Sequence, residues 1–176
     1  NNDSIDGGTF DNCANLKTVM FEDGTTEIAE GLFAGCTGIE QITIPDTVTV
    51  IESGAFGGCI NLKEIVVPDN VTEIQSSAFE YCSSLKTVKL SENLERIGVY
   101  AFGDCDVLKS IKIPDSVLDI DGAAFAECKE LSDVVLSKNL KTMGWQVFGN
   151  DNKLTEIEIP KSLEECRYYR NNDSID

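Results

Sequence analysis

Cysteine is the residue type whose spacing in this sequence could do chemistry, because a thiolate can attack a substrate, bind a metal or form a disulfide. The 176-residue chain has seven cysteines, and six of them recur at an interval of 23 residues. The six are Cys13, Cys36, Cys59, Cys82, Cys105 and Cys128. The chain has no histidine, which excludes histidine-dependent triads and the commonest zinc ligand. No catalytic residue is predicted.

The regular spacing of these cysteines favours a row of buried thiols. Equivalent residues of stacked coils lie about 4.8 Å apart and point the same way, whereas a disulfide needs Cβ atoms about 3.8 Å apart that face each other. Zinc sites need clustered pairs such as C-x₂-C, which are absent. We therefore predict an inward row of free thiols, with disulfides or a metal site as the alternatives. Cys166 lies outside the series, near the end of the last repeat, where we expect partial exposure.

A second regular series is acidic. One position of the repeat carries carboxylates that change to lysine in the last two copies: Asp23, Asp46, Asp69, Glu92, Asp115, Lys138 and Lys161. Paired carboxylates could bind a divalent cation, but aspartate also suits the turn that follows a proline. We favour the turn, because no D-x-D-x-D-G calcium motif is present. No metal and no cofactor is predicted.

The elements that must position these residues follow from the same period. Phenylalanine recurs at 23-residue intervals, at Phe10, Phe33, Phe56, Phe79, Phe102, Phe125 and Phe148. A self-similar period of this length indicates a solenoid, because one coil cannot bury its apolar residues alone and stacked coils can. We predict a single domain over residues 1–176 made of seven coils. Regular repeats should occupy about 5–166, with a cap or tail at 167–176.

Each repeat is predicted to contain two short strands and a tight turn. In the segment LKEIVV, Ile65 and Val67 alternate with Glu64 and Val66, which is the period of a strand with one buried face. The segment VTEI at 71–74 predicts a second, shorter strand. The segment SSAFEYCSS that follows predicts a turn, or one turn of 3₁₀ or α-helix. Stacking would pair the strands into parallel sheets along the solenoid.

The repeat pattern L-x-x-I-x-I-P-x-x-V-x-x-I-x-x-x-A-F-x-x-C resembles the BspA-like, or Treponema pallidum-type, leucine-rich repeat. It reads LKEIVVPDNVTEIQSSAFEYC at residues 62–82 and LKSIKIPDSVLDIDGAAFAEC at 108–128. The resemblance implies a leucine-rich repeat solenoid, a right-handed superhelix of mainly parallel β-structure. It also implies an exported or surface-attached interaction module, with host matrix or surface proteins as typical partners.

The net charge and the distribution of apolar residues limit which partners this chain can have. A net charge of −17 repels phosphate backbones, so we expect no nucleic-acid partner. The sequence has no apolar run of about 18 residues, so no transmembrane segment is predicted. It opens without a leader, so we expect any signal peptide to lie outside this sequence.

The hexapeptide NNDSID occurs at 1–6 and again at 171–176, which predicts a fragment of a longer protein with a larger repeat.

Two outward-facing sets of residues are predicted to bind a partner. Tyr100 and Trp145 follow the second strand, where most repeats have a small residue, and such rings are favoured interface anchors. For Tyr168 and Tyr169 we favour a cap over the end of the stack, with partner binding as the alternative. The other set is the outward face of the main sheet, the concave binding surface that the resemblance implies, with a merely solvated sheet as the alternative. This set consists of Glu64, Val66, Thr87, Lys89, Ser110, Lys112, Asp133 and Val135.

The leading hypothesis is a non-catalytic protein–protein interaction module of a secreted or cell-surface protein, with a bacterial adhesin as its most specific form. The alternative is a structural spacer or stalk that presents other domains. An enzyme is not expected, because the carboxylate pairs recur with the repeat and lack a pocket.

Overall fold

The computed structural model describes residues 8–151 and 153–168, and in these ranges the chain forms short strands and turns without a helix. The segment predicted as a turn or a single helical turn is a turn in every described coil. The strands have two or three residues each: β1 (Glu27–Ile28), β2 (Val50–Ile51), β3 (Glu64–Val66), β4 (Glu73–Ile74), β5 (Thr87–Lys89), β6 (Arg96–Ile97), β7 (Ser110–Lys112), β8 (Asp119–Ile120), β9 (Asp133–Val135), β10 (Thr142–Met143) and β11 (Glu165–Cys166).

The strands of successive coils pair in parallel, which confirms the predicted solenoid. The shorter strands form one seven-stranded sheet in the order β1-β2-β4-β6-β8-β10-β11. Each residue of this sheet pairs with the residue 23 positions later in the next coil, so that Ile51 lies opposite Ile74. The identical spacing of the apolar residues sets this register, because only one pairing aligns every inward side chain.

The main sheet, which is the sheet expected from the longer strand of each repeat, is less continuous than the sequence suggests. In the part of the chain that the structure describes, its strands pair as β3 with β5 and as β7 with β9, in two separate two-stranded sheets. Toward the C-terminal end, residues 132–134 and residues 156–158 line a cleft of about 680 Å³, and residues 156–158 form no strand. Asp133 and Glu156 occupy equivalent positions on its two sides, and adjacent carboxylates oppose close approach. The continuous sheet is therefore the one built from the shorter strands.

The core runs along the solenoid as rows of identical side chains. The rings of Phe56 and Phe79 stack with centroids 5.2 Å apart and an interplanar angle of 9°. The same stacking continues from Phe10 to Phe148. The inner phenylalanines are fully buried, and each such side chain contributes about 1.5–3 kcal/mol of transfer free energy.

The end coils are less covered than the inner ones. Phe10 is 42% exposed and borders a cavity of about 620 Å³ under Val19 and Phe21. At the other end, Tyr168 is 86% exposed. This exposure gives no support to Tyr168 as a cap, and the cap or tail expected at 167–176 stays a prediction. Tyr169 and both copies of NNDSID lie outside the described residues.

Candidate functional site

Most of the repeated cysteines form a row of buried thiols. The Sγ atom of Cys59 donates a hydrogen bond to the carbonyl oxygen of Phe33 in the preceding coil, at 3.3 Å. Burial raises the pKa of the Cys59 thiol to about 12 and the pKa of Cys82 well above its ordinary value. Thiols that remain protonated are poor nucleophiles and poor metal ligands. The same arrangement, a buried free thiol bonded to the preceding coil, holds for Cys36, Cys59, Cys82, Cys105 and Cys128.

The prediction of an inward thiol is wrong for Cys13. Its side chain is exposed because it belongs to the first described coil, whose outer side no other described coil covers. Cys166, expected to be partly exposed, is exposed in the last strand.

Asp151 occupies the position that the six cysteines hold in the other coils. Its side chain is 8% exposed, and its Oδ1 atom accepts a hydrogen bond from the backbone N–H of Cys128 at 2.9 Å. The Oδ2 atom is buried and has no hydrogen-bond partner among the described residues. Burial raises the pKa of this carboxyl to about 7, against the lowering effect of the Cys128 N–H. The sequence shows the replacement of cysteine but not that the carboxyl is buried.

The acidic series stabilises the turns of the solenoid. The Oδ1 atom of Asp115 accepts a hydrogen bond from the backbone N–H of Lys138 in the next coil, at 2.9 Å. Asp69 accepts an equivalent bond from Glu92 at 3.1 Å. These contacts support the turn interpretation of the series. Within residues 8–151 and 153–168, no group of three Cys, Asp or Glu side chains lies where it could hold a metal ion.

The predicted outward face of the main sheet lies on four strands, and its residues are exposed. Each of β3, β5, β7 and β9 turns its first and third residues outward. One row of this face is polar, and pairing places Glu64 beside Thr87 and Ser110 beside Asp133. The other row places an exposed valine beside a lysine in each pair, Val66 with Lys89 and Val135 with Lys112.

The two valines are the apolar part of the strand face. Val66 is 56% exposed and Val135 is 50% exposed. Single exposed apolar side chains are common on protein surfaces, but here two stand on rigid strands beside lysines. We refer to these eight residues on β3, β5, β7 and β9 as the strand face.

The outward side of the seven-stranded sheet has its charges paired instead. Arg96 binds Asp121 at 2.7 Å and lies 3.6 Å from Glu73 in the preceding coil. Arg167 lies 3.4 Å from both Asp119 and Asp121, so it connects to a coil two repeats away. These ion pairs neutralise charges within the chain, so this surface has fewer unpaired charges for a partner than the outward face of the main sheet has.

The predicted aromatic residues Tyr100 and Trp145 are brought together although two repeats separate them. Their rings meet edge to face with centroids 5.8 Å apart and an interplanar angle of 78°. Gly122 lies between them in sequence, and a Cβ atom at Gly122 would overlap the Trp145 indole. The absence of a side chain at this position therefore lets the indole extend over the intervening coil.

A third aromatic residue, Tyr81, was not predicted from the sequence. Its backbone N–H donates a hydrogen bond to the carbonyl oxygen of Gly103 at 2.9 Å, and the Tyr100 ring lies against the same glycine. Tyr81 is 54% exposed, and the carboxylates of Glu80 and then Asp104 raise the pKa of its phenol above the ordinary value, with a smaller effect from Tyr100. The signal that could have found it is its position, which Gly35 and Gly58 fill in earlier coils. We call Tyr81, Tyr100 and Trp145 the aromatic patch.

Both tyrosines of the patch stand on left-handed backbone. Tyr81 has φ 59° where Gly58 has φ 71°, and Tyr100 has φ 53° where Gly54 has φ 64°. The turn imposes this conformation in every described coil, and glycine adopts it without strain. A bulky residue there costs about 1–2 kcal/mol.

Within the described residues, no helix is long and apolar enough to cross a membrane.

A search of curated proteins finds no match to this chain. The family model for the BspA type leucine-rich repeat region, in six copies, matches residues 1–109 and 51–175.

Solved structures of bacterial leucine-rich repeat proteins are similar to this chain. A leucine-rich repeat protein from Bacteroides ovatus is 36% identical over 88% of this chain, with a TM-score of 0.77. The T. pallidum leucine-rich repeat protein is 30% identical over 87% of this chain and 72% of its own, with a TM-score of 0.79. A leucine-rich cell surface protein from Faecalibacterium prausnitzii is 30% identical over 88% of this chain and 50% of its own, with a TM-score of 0.53.

The chain spans 41% of the length of the B. ovatus protein, so it corresponds to part of that longer repeat protein. The repeat pattern, the parallel solenoid and the family match over most of the residues agree with one another. This chain belongs to the BspA-type leucine-rich repeat family.

Proposed function

We propose that this chain is a non-catalytic protein-interaction module of a secreted or cell-surface protein and that its strand face contacts the partner. The observation that carries the proposal is the pair of half-exposed valines, Val66 and Val135, held on paired strands beside lysines. The valines lie on the two outer strands of the strand face, and the lysines of β5 and β7 lie between them. Exposed apolar groups beside polar ones are typical of protein interfaces. Tyr100 and Trp145 form a second contact region in this proposal.

Two further observations support an interaction role. Leucine-rich repeat proteins mediate protein interactions, and their fold serves typically as a non-catalytic scaffold. One structurally similar protein is described as a leucine-rich cell surface protein. In its most specific form, the proposal makes this chain part of a bacterial adhesin that binds host matrix or surface proteins.

The experiment measures binding of the purified chain to a panel of purified extracellular-matrix proteins by biolayer interferometry. We expect saturable binding to at least one of them at about micromolar concentration. Val66→Glu and Val135→Glu each place a charge in the contact and should weaken that binding about tenfold or more.

Leu118→Glu is the matched control, because Leu118 is 44% exposed and lies outside the strand face. It introduces the same charge elsewhere and should leave the affinity unchanged. If L118E weakens binding as much as V66E, the strand face is not the contact surface. If no matrix protein binds at about 10 μM, the alternative of a structural spacer is favoured.

A further inference from the structure

We propose that the aromatic patch docks an arginine-bearing segment of the protein partner. The proposal rests on the proposed function, since it names the chemistry of what this part of the surface binds. Carboxylates lie next to the patch along the solenoid, because Asp104 and Glu127 hold the position of Tyr81 in the next two coils. The backbone N–H of Tyr81 donates a hydrogen bond to the carbonyl oxygen of Gly103 at 2.9 Å, directly before Asp104. We call Glu80, Asp104 and Glu127 the acidic rim.

All three rings of the patch reach solvent, where a cation could contact them. Tyr81 is 54% exposed, while Tyr100 and Trp145 are each partly buried and hold each other edge to face. Ring faces attract cations, and the planar guanidinium of arginine stacks on them with little desolvation cost. Two of the rings are fixed by their mutual contact and by Gly122, so less side-chain entropy is lost on binding.

The charge around the patch is negative. The carboxylates of Glu80 and Asp104 act on the phenol of Tyr81, and Glu127 and Asp106 in turn act on Asp104. Lys129 lies among these groups, but it is paired with Asp106 at 2.8 Å. An excess of negative charge therefore remains beside the rings and complements a cationic ligand.

The fold does not require the tyrosines at these positions. Gly58 and Gly54 occupy the equivalent places in an earlier coil with the same left-handed backbone. Tyrosine carries a steric strain there that glycine avoids, and the core gains nothing in return from the exposed ring of Tyr81. Other residues also hold this position with left-handed backbone, Asp104 at φ 56° and Glu127 at φ 61°, so the identity of the side chain at Tyr81 is set by something other than the backbone.

The chain contains a single tryptophan, so its fluorescence reports on the patch directly. The probe is the peptide acetyl-Gly-Arg-Gly-Arg-Gly-amide, titrated into the purified chain while Trp145 emission is recorded. The matched probe replaces both arginines with citrulline, which keeps the shape and removes the charge. We expect a saturable change with the arginine peptide and none with the citrulline peptide.

Matched variants distinguish peptide binding at the patch from general attraction of the peptide to the acidic surface of the chain. Tyr81→Gly restores the glycine of earlier coils and should weaken the peptide about fivefold. Tyr81→Asn is the second variant, because Asn12 and Asn150 hold this position with φ 56° and 63°. Glu80→Gln should also weaken the peptide, whereas Glu95→Gln, an exposed carboxylate away from the rim, should not.

Three results would overturn this inference: equal responses to the two peptides, unchanged affinity in both Tyr81 variants, or equal weakening by E80Q and E95Q. The test is independent of the strand face, because Val66→Glu and Val135→Glu should not change the peptide titration. Matrix-protein binding without any response to the arginine peptide would refute the inference and leave the proposed function standing. Peptide binding without a matrix partner would support the inference and count against the adhesin role.

Discussion

The backbone N–H of Cys128 donates a hydrogen bond to the carboxylate of Asp151 at 2.9 Å, in the position where other coils stack one thiol on the next. The second oxygen of this carboxylate is buried and has no hydrogen-bond partner among the described residues. A carboxyl group in this environment is more stable when it is protonated.

Stability should therefore fall as pH rises. The pKa of Asp151 is about 7 in the folded chain and 3.8 ordinarily. A raised folded-state pKa means that the stabilisation is fully present below the ordinary value and is lost as pH rises through about 7. The free energy of unfolding should decline across this range by roughly 1 kcal/mol per pH unit, measured by urea unfolding at a series of pH values.

Asp151→Cys is the control for this pH dependence, because it restores the residue of the other coils and removes the titrating carboxyl. The general repulsion that follows from a net charge of −17 is nearly the same in both chains, so the difference between them isolates Asp151. Parallel pH profiles for the two chains would contradict the prediction.

Thiol reactivity should divide the cysteines into two classes. In the native chain, Cys13 and Cys166 should react rapidly with a thiol reagent because both are exposed. The five buried thiols should react only after unfolding, since burial keeps the reagent from reaching them. The double variant Cys13→Ser, Cys166→Ser should lose the rapid phase; rapid labelling that persists in it would show that the buried row is open to solvent.

Removing one ring from the inner stack should cost far more than removing one from its end. Phe79 is fully buried between two stacked rings, whereas Phe10 is 42% exposed. Phe79→Ala should lower the free energy of unfolding by about 3–5 kcal/mol, and Phe10→Ala should lower it by much less. Urea unfolding of both variants checks this, and equal losses would mean that the stack does not share one core.

A methyl group at Gly122 should displace Trp145. The added Cβ atom in Gly122→Ala would overlap the indole, so the ring must leave its place over this coil. We expect Trp145 emission to move to longer wavelength as the indole becomes more exposed. Gly57→Ala is the control, because a Cβ atom there meets its nearest neighbours at 3.4 Å; an identical shift in both variants would remove the link to Trp145.

The period of the sequence determined the solenoid, its parallel strands and its core. Phe56 and Phe79 could be assigned as neighbours because every coil adds the same length of chain, so equal sequence positions become stacked spatial positions. The same reasoning placed Val66 and Val135 on the outside, since strand residues alternate between faces.

Only the tertiary structure decided which features depart from this repetition. The structure showed that the shorter strands form the continuous sheet, whereas the longer strands of the described residues pair as β3 with β5 and β7 with β9, and a cleft beside Asp133 follows β9. Position in the stack exposed Cys13 and buried Asp151. Trp145 reaches Tyr100 across a whole coil because Gly122 leaves room. Such contacts depend on the reach and volume of side chains from different coils, and no local pattern of residues encodes them.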